Sequence, residues 1–542
     1  MILATPSFSG IAPRFSPHAL QPNQAQTATN CRLWAGALEP LPGGLSVATI
    51  VGRPGVKKAL YRMGHDAASD TQHWLSWLTE VDVVRSPIAG ETGERTYYTG
   101  DGVPKFTDTV LATTATPYPF TSYDLAVPAP VTAATALVSG TADAGAIIET
   151  RAYVYTNVRN YGGFAEESAP SAVVLADMKP GQTVTLSAYD AAPTGAYNIT
   201  HRRFYRTATG SQGTNYYYVG EQVTASTTFA DSVSGANLGE VLPSLTWDAP
   251  PATLTGLVLM AGGILAGFVG KDVYFCDPYH PHAYPQDYIQ TVDYDVVGLC
   301  AMGQSLIVLT KGHPYIITGT HPDSMSMQKL DIEQACVSKR SISRFAQGCI
   351  YASPDGLVYV GNDGSDIITK NYVTAKEWKA LCTLSTLHGY SHDGRYYGFH
   401  STGGFIFDPA DRGGALSLHT ILADAAYVDL QVDSLFYVKT DTVYKLHAGT
   451  DLAYTWHSKR HQLPKPYNFG CAQVLATDYT SVVFKLYVDG VATPKLTKTV
   501  TSGEPFRLPA GYLARAVEFE LSGSSPVLAV TIAGNPLELQ NV

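Results

Sequence analysis

The chain has 542 residues, 36 Lys and Arg against 46 Asp and Glu, and a formal charge of −10. An acidic chain lacks the basic stripe that neutralises phosphates, which argues against a grip on nucleic acid. The opening MILATPSFSG has no basic-then-apolar signal order and no run of about eighteen apolar residues marks a spanning helix, so the expectation is a chain made in a cytoplasm, neither exported by a signal peptide nor membrane-spanning.

At about 100–200 residues per domain the length implies roughly three domains. Forty-nine Gly, 33 Pro and 34 Tyr beside 15% charged residues describe many short strands joined by tight turns. Seven cysteines at 31, 276, 300, 336, 349, 382 and 471 are odd in number and form no CxxC pair, so they are expected to be reduced and buried.

In chain order, residues 1–60 are irregular and rich in Pro, Asn and Gln until LSVATIV (45–51), and are assigned as an extended arm with the first strands. Such an arm either wraps another chain or threads its own domain. Helical spacing occurs only in QPNQAQTATNCRL (21–33) and AKEWKALC (375–382).

A recurrent phrase then begins: a short apolar strand, a Gly/Asp turn, and a strand carrying Tyr or Phe. The first copy is WLSWL (74–78) with ERTYYTGDG (94–102), preceded by KKALYR (57–62). Residues 109–134 are a Thr/Ala/Pro stretch of linker character.

From about 145 to 235 alternating strands such as RAYVYTNV (151–158), QTVTLSAY (182–189) and YYYVGEQV (216–223) alternate with turns and fit a small sandwich. Within it, residues 153–174, with Glu167, Ser168, Ala169 and Pro170 at the turn, resemble the first hairpin of a fibronectin type III domain and are followed by RRFYRTATG (202–210).

Five further copies of the phrase start at 264, 305, 349, 395 and 435. Their separation matches the roughly 40–50 residue period of a four-stranded propeller blade, a unit that buries its faces only by stacking on neighbours. Finally, RAVEFELSG (515–523) sets Val517, Phe519 and Leu521 against Ala516, Glu518 and Glu520, which predicts a C-terminal sandwich with one wet face. The expected fold class is all-β: a propeller-like body (61–125 and 246–450), an inserted fibronectin III-like or immunoglobulin-like sandwich (126–245), and a sandwich-like C-terminal domain (451–542).

Several residues have the chemistry of a site. Cys276, Asp277, His280 and His282 are zinc-ligand types, but Pro278 and Pro281 break any regular element, which favours an inter-strand loop. Glu166 and Glu167 are adjacent on a strand and point to opposite faces, so they cannot share one substrate. Asp363 and Asp366 flank Gly364 in a turn, and SPDG (353–356) and SHDG (391–394) carry one Asp each where a calcium loop needs several ligands. GxSxG, P-loop, GxGxxG and HExxH patterns do not occur. The expectation is no catalytic, cofactor or metal residues and no enzyme activity.

The ends of the chain carry a resemblance. Residues 6–43, with Gly10, Pro13, Arg14, Gln24, Ala25, Asn30, Cys31, Gly36, Leu38 and Pro40, resemble the opening of the nozzle, or tubular B, proteins of short-tailed bacteriophages. CVSKRSISRFAQGCIYASPDGLVYVG (336–361), EWKAL (377–381), DGRYYGF (393–399), WHSKRHQLPKPYNFGCAQV (456–474) and PFRLPAG (505–511) look like the same group.

The resemblance implies a virion tail protein assembled in the host cytoplasm: a homohexameric ring below an adaptor ring, with fibres, spikes or a needle around or below it, through which genome DNA leaves without sequence-specific binding. It also assigns Gly10, Pro13, Arg14, Gln24, Asn30 and Arg32 to assembly contacts. An unpaired arm at 1–40 suits a subunit that adds extended chain to its neighbours' sheet edges, and its deletion is expected to leave a folded subunit that does not assemble. The alternative is a glycan-binding or glycan-hydrolysing propeller, which requires two carboxylates about 5–10 Å apart in an aromatic groove.

Overall fold

A computed structural model describes residues 1–64, 73–208, 215–411 and 416–539. The chain forms two compact units: the first comprises Met1–Leu78, Leu309–Pro314 and Lys329–Val542, the second Thr79–Val308 and Tyr315–Gln328. Both are built mostly of β-strands, and four-stranded antiparallel sheets recur, in keeping with the expected all-β class. Among the described residues no helix is long and apolar enough to cross a membrane.

The last five copies of the sequence phrase are hairpins. Leu265–Val269 pairs with Asp272–Phe275, Ser305–Thr310 with Tyr315–Thr318, and Gly348–Ser353 with Gly356–Gly361. Arg395–His400 pairs with Gly403–Phe407, and Ser434–Lys439 with Thr442–Lys445. The first copy is different. Trp74–Trp77 pairs with Ala59–Arg62, whereas Thr96–Thr99 lies between Asp82–Arg85 and Lys105–Thr107 in another sheet. The nearer partner at 59–62, itself fully buried, takes the Trp74 strand and leaves the Tyr97 strand to the second unit.

In the second unit two antiparallel sheets enclose one apolar core between residues 134 and 231. One contains Thr135–Ser139, Thr183–Ser187 and Thr228–Asp231, and the other Phe164–Glu167, Glu149–Tyr161, His201–Thr207 and Tyr216–Val223, with Val174–Met178 at an edge. Tyr153, Tyr155, Val184, Leu186 and Phe204 fill the space, and the Phe204 and Phe229 rings stack at 4.2 Å. Thr209 and Gly210 of the fibronectin-like segment lie outside the described residues.

The first unit departs most from the sequence expectation. Residues 1–40 are extended, but their partners belong to the same chain. Ile2–Thr5 pairs with Val527–Ala533, and Ala25–Thr29 lies between Tyr454–Ser458 and the strand Leu416–His419. That insertion joins the hairpin at 395–407 to the C-terminal strands in one ten-stranded sheet. Leu45–Thr49 likewise completes the sheet of Ala425–Asp429, Ser434–Lys439 and Thr442–Lys445.

The helical spacing at 21–33 is therefore overridden: the segment forms Ala25–Thr29 and Cys31–Arg32, because its open backbone bonds are met by strands on both sides. The other predicted helix is present as Ala375–Leu381, with a Thr374/Glu377 capping box.

Phe8, Ile11, Leu20, Ala25, Ala28 and Leu38 join Trp378, Trp456, Phe484 and Phe519 in a single core. In Val482–Val488, Val482, Phe484 and Leu486 alternate inward, as period-two patterning requires. Facing them across the sheet, Val517, Phe519 and Leu521 are buried as expected. The opposite face is not wet at Glu518, which is buried and accepts hydrogen bonds from Gln26 Nε2 at 2.9 Å and from the Arg460 guanidinium, with His457 Nε2 at 3.0 Å. Burial pushes its carboxyl up, but bonds to His457, Arg460 and Gln26 prevail and bring it down to about 2.

Removing residues 1–40 therefore takes away the strands Ile2–Thr5, Ala25–Thr29, Cys31–Arg32 and Glu39–Pro40 and part of the core, so it is expected to abolish folding of the first unit rather than to leave a folded, assembly-deficient subunit. Leu38→Ala, at a site with no exposed surface, is expected to cost about 2–5 kcal/mol. Denaturant titration of that variant and proteolysis of the truncation check both.

Candidate functional site

The residues assigned to assembly by resemblance are gathered by the N-terminal loop and strands, and most of them serve the chain's own fold. Gly10 offers its carbonyl to Ala25 N at 3.0 Å, and the buried Gln24 accepts Gln21 N at 2.9 Å on its side chain. Asn30 has a positive φ of 55°, a conformation Asn tolerates better than most residues. Its amide nitrogen donates to Ala453 O at 3.1 Å, while its side-chain oxygen accepts Thr420 N at 2.9 Å. That one side chain thus ties three segments together. Arg32 donates to Glu39 at 2.6 Å and lies 5.5 Å over the Trp34 ring, which the Arg395 guanidinium also covers at 3.7 Å.

Pro13 and Arg14 stand apart from this group. Arg14 is exposed, and its guanidinium bonds the Lys370 carbonyl. Pro13 lines a surface groove of about 160 Å³ with Ala12, Phe15, Pro17, Leu20, Ala25 and Gln26. Phe15 is 45% exposed at its edge. The groove residues Phe15, Pro17 and Leu20 escaped the sequence analysis, although apolar residues spaced through an otherwise polar, Pro-rich stretch are a readable signal.

The carboxylate candidates sit in the second unit as buried ion pairs. Arg159 stands opposite Glu166 across the strand pair and donates to it at 2.5 Å, and Arg95 donates to the other oxygen at 3.1 Å. Burial pushes the Glu166 carboxyl up, but the Arg159 and Arg95 charges outweigh it and hold it below the usual range. Glu167 takes a different set: Thr156 Oγ1 at 2.6 Å, Tyr205 OH at 2.8 Å and Arg203 at 3.1 Å.

The histidine loop is also divided. His280 Nδ1 lies 2.8 Å from Asp277, while the buried His282 donates through Nε2 to the Glu167 carbonyl at 3.0 Å. Their rings are 6.1 Å apart, flanking Trp247. Among the described residues no group of three or more His, Cys, Asp or Glu is placed to hold a metal ion. All seven cysteines are buried, and none is joined in a disulfide.

In the turns, Asp363 accepts Tyr359 OH at 2.9 Å, Asp366 pairs with Lys370, Asp355 accepts Gln334 at 2.9 Å and Asp393 pairs with Arg395. Each Asp is spent on a local partner. A further cavity of about 520 Å³ in the second unit is lined by Arg151 and Asp231, and the buried Asp231 carboxylate accepts Tyr153 OH at 2.7 Å and pairs with Arg206 at 2.8 Å.

Burial holds five imidazoles in the neutral form: His282, His447 and His461 fall to about 4, and His388 and His419 to about 3. An unfolded histidine titrates near 6.5, so between that pH and about 3–4 the unfolded chain binds more protons. The stability these groups contribute is complete above about pH 6.5 and is lost as pH falls toward their folded values. Thermal midpoints measured from pH 7.5 to 4.5 are expected to fall steadily; a flat profile would contradict the neutral burial.

No family model matches the chain, and no curated protein matches it. Solved structures with similarity include BamB from Moraxella catarrhalis, at 11% identity over 49% of this chain and 79% of that one, with a TM-score of 0.25. A gluconolactonase from Xanthomonas campestris has 11% identity over 49% of this chain and 90% of its own, with a TM-score of 0.23. PorZ, a surface component of the type-IX secretion system of Porphyromonas gingivalis, has 11% identity over 89% and 82%, with a TM-score of 0.24. Similarities of this size say nothing of activity or assembly.

Proposed function

We propose that the chain is a structural subunit of the tail nozzle of a short-tailed bacteriophage, closing with copies of itself, six by the resemblance, into a ring that passes genome DNA. In this proposal the body is propeller-like, residues 126–245 are an inserted fibronectin III-like sandwich, and residues 451–542 form a C-terminal sandwich. An adaptor ring lies above, and fibres, spikes or a needle lie around or below.

One observation carries the proposal. The segments that bear the nozzle resemblance are scattered from residue 6 to residue 511, yet all fall in the first compact unit. They contribute to one core: Phe8, Ile11 and Leu38 from the opening, Ile350 and Leu357 from the middle, Trp378 and Tyr396 beyond it, and Trp456, Phe469 and Leu508 from the end. Motifs that share a core are parts of one structural module, as expected of segments that build one virion subunit.

The charge is compatible with a conduit. A net charge of −10 offers no counterion release to passing DNA, so the wall does not hold its cargo. Electron microscopy and light scattering of the purified protein, alone and with tail components, are expected to reveal a six-fold ring with a channel wide enough for duplex DNA. A chain that stays monomeric with every tail component, or that cleaves capsule or lipopolysaccharide, would overturn the nozzle assignment in favour of a glycan-acting protein.

A further inference from the structure

Two exposed apolar features of the first unit complement each other. The first is a knob at residues 430–433, the turn joining Ala425–Asp429 to Ser434–Lys439. Leu430 at its tip is 85% exposed and Val432 is 40% exposed, although turns of this kind are normally polar. The turn is held rigidly: the buried Asp429 accepts Gln431 N at 3.0 Å and Arg62 at 2.9 Å, and Ser434 Oγ donates to Val432 O at 2.9 Å. Asp433, whose carboxylate is 94% exposed with His392 Nδ1 at 3.9 Å, completes it.

The second feature is the groove of about 160 Å³ at Ala12, Pro13, Phe15, Pro17 and Leu20. An apolar cavity of roughly 150 Å³ accepts a benzene-sized group, so this groove can take one leucine side chain. Its walls are also fixed, by Phe15 N on Ala12 O at 3.0 Å, Arg14 N on Tyr372 O at 2.8 Å and Arg460 N on Pro17 O at 2.9 Å. Two cations border it. Arg14 bonds the Lys370 carbonyl and Lys459 the Leu20 carbonyl, and among the described residues neither forms an ion pair with a carboxylate.

We propose that the knob of one copy seats in the groove of the next, with Leu430 in the pocket and Asp433 toward Arg14. The proposal rests on the ring assembly put forward above and names the contact that would build it. An apolar tip with an exposed carboxylate and an apolar groove beside two cations lie at two different places on the subunit. A patch that fits a pocket elsewhere on the same molecule makes a head-to-tail contact, which propagates until rotation closes it. Both partners are rigid before they meet, so little ordering entropy opposes docking.

The buried native cysteines give a quiet background for cross-linking. Full-length chains carrying Leu430→Cys and Phe15→Cys are mixed under mild oxidation. Covalent dimers are expected only between a Leu430→Cys chain and a Phe15→Cys chain, and a chain with both changes is expected to give a ladder. Leu430→Asp, at a tip where folding is spared, should weaken self-association by roughly 30-fold, the scale of a hot-spot residue.

A wild-type chain that forms rings while mixed Leu430→Cys and Phe15→Cys chains do not cross-link, or Leu430→Cys chains that link only to themselves, would overturn this contact and leave the nozzle assignment standing. A chain that neither associates nor cross-links would overturn both. Cross-linked open filaments would support the contact while counting against a closed ring.

Discussion

Trp456 has no exposed surface, and it stands 5.0 Å edge-on to Phe8 and 5.6 Å from Phe519. A buried indole N–H needs an acceptor, and Trp456 finds the carbonyl of Ser9 at 3.0 Å, 447 residues away in sequence. The C-terminal strands therefore reach a satisfied core only when the N-terminal segment is already in place. Leu45–Thr49 imposes the same condition on the last four-stranded sheet, whose outer strand it supplies. Closure between chain ends is a long-range event, and long-range β pairing pays its loop entropy before its contacts form.

That constraint also separates what was legible in the sequence from what was not. Local alternation and Gly/Asp turns exposed the five later hairpins, because strand, turn and partner lie within about twenty residues of one another. The same signal failed at WLSWL, whose partner is Ala59–Arg62 and not the Tyr97 strand. It also failed at residues 21–33, where short polar residues accept either periodicity and pairing with Tyr454–Ser458 decides. Glu518 looked solvent-facing by alternation, yet His457, Arg460 and Gln26 close over it. Among the candidate contact residues, the resemblance pointed to Asn30 and Arg32 but could not tell an internal tie from an external one. The distinction depends on Ala453, Thr420 and Glu39 being within bonding distance.

The buried charges of the second unit have a related logic. Glu166 between Arg95 and Arg159, and Glu167 among Thr156, Tyr205 and Arg203, link strands that are distant in sequence. Removing one member would strand the opposite charge in an apolar setting, a loss of about 3–5 kcal/mol, so such networks penalise wrong registers more than they add net stability. A carboxylate held ionised by two guanidiniums is also a weak proton acceptor, since general-base efficiency requires a pKa near the working pH. The adjacent glutamates thus act on register, and their opposite orientation follows from the pleat.

Because residues 1–40 are consumed within their own chain, assembly into the proposed ring cannot rely on donating that arm to a neighbour's sheet. It must use surfaces that are already formed when subunits meet. For copies that each carry a charge of −10, approach is opposed by self-repulsion, which salt screens only beyond roughly 8 Å at physiological ionic strength. A contact between them must therefore be apolar at its centre and locally basic on one side. The Pro13–Leu20 groove beside Arg14 and Lys459 has that character, and the proposal sets against it the turn at 430–433 with Leu430 and Asp433. In the proposed ring, the same excess of negative charge that would let DNA slide past the wall would also limit where neighbouring subunits touch.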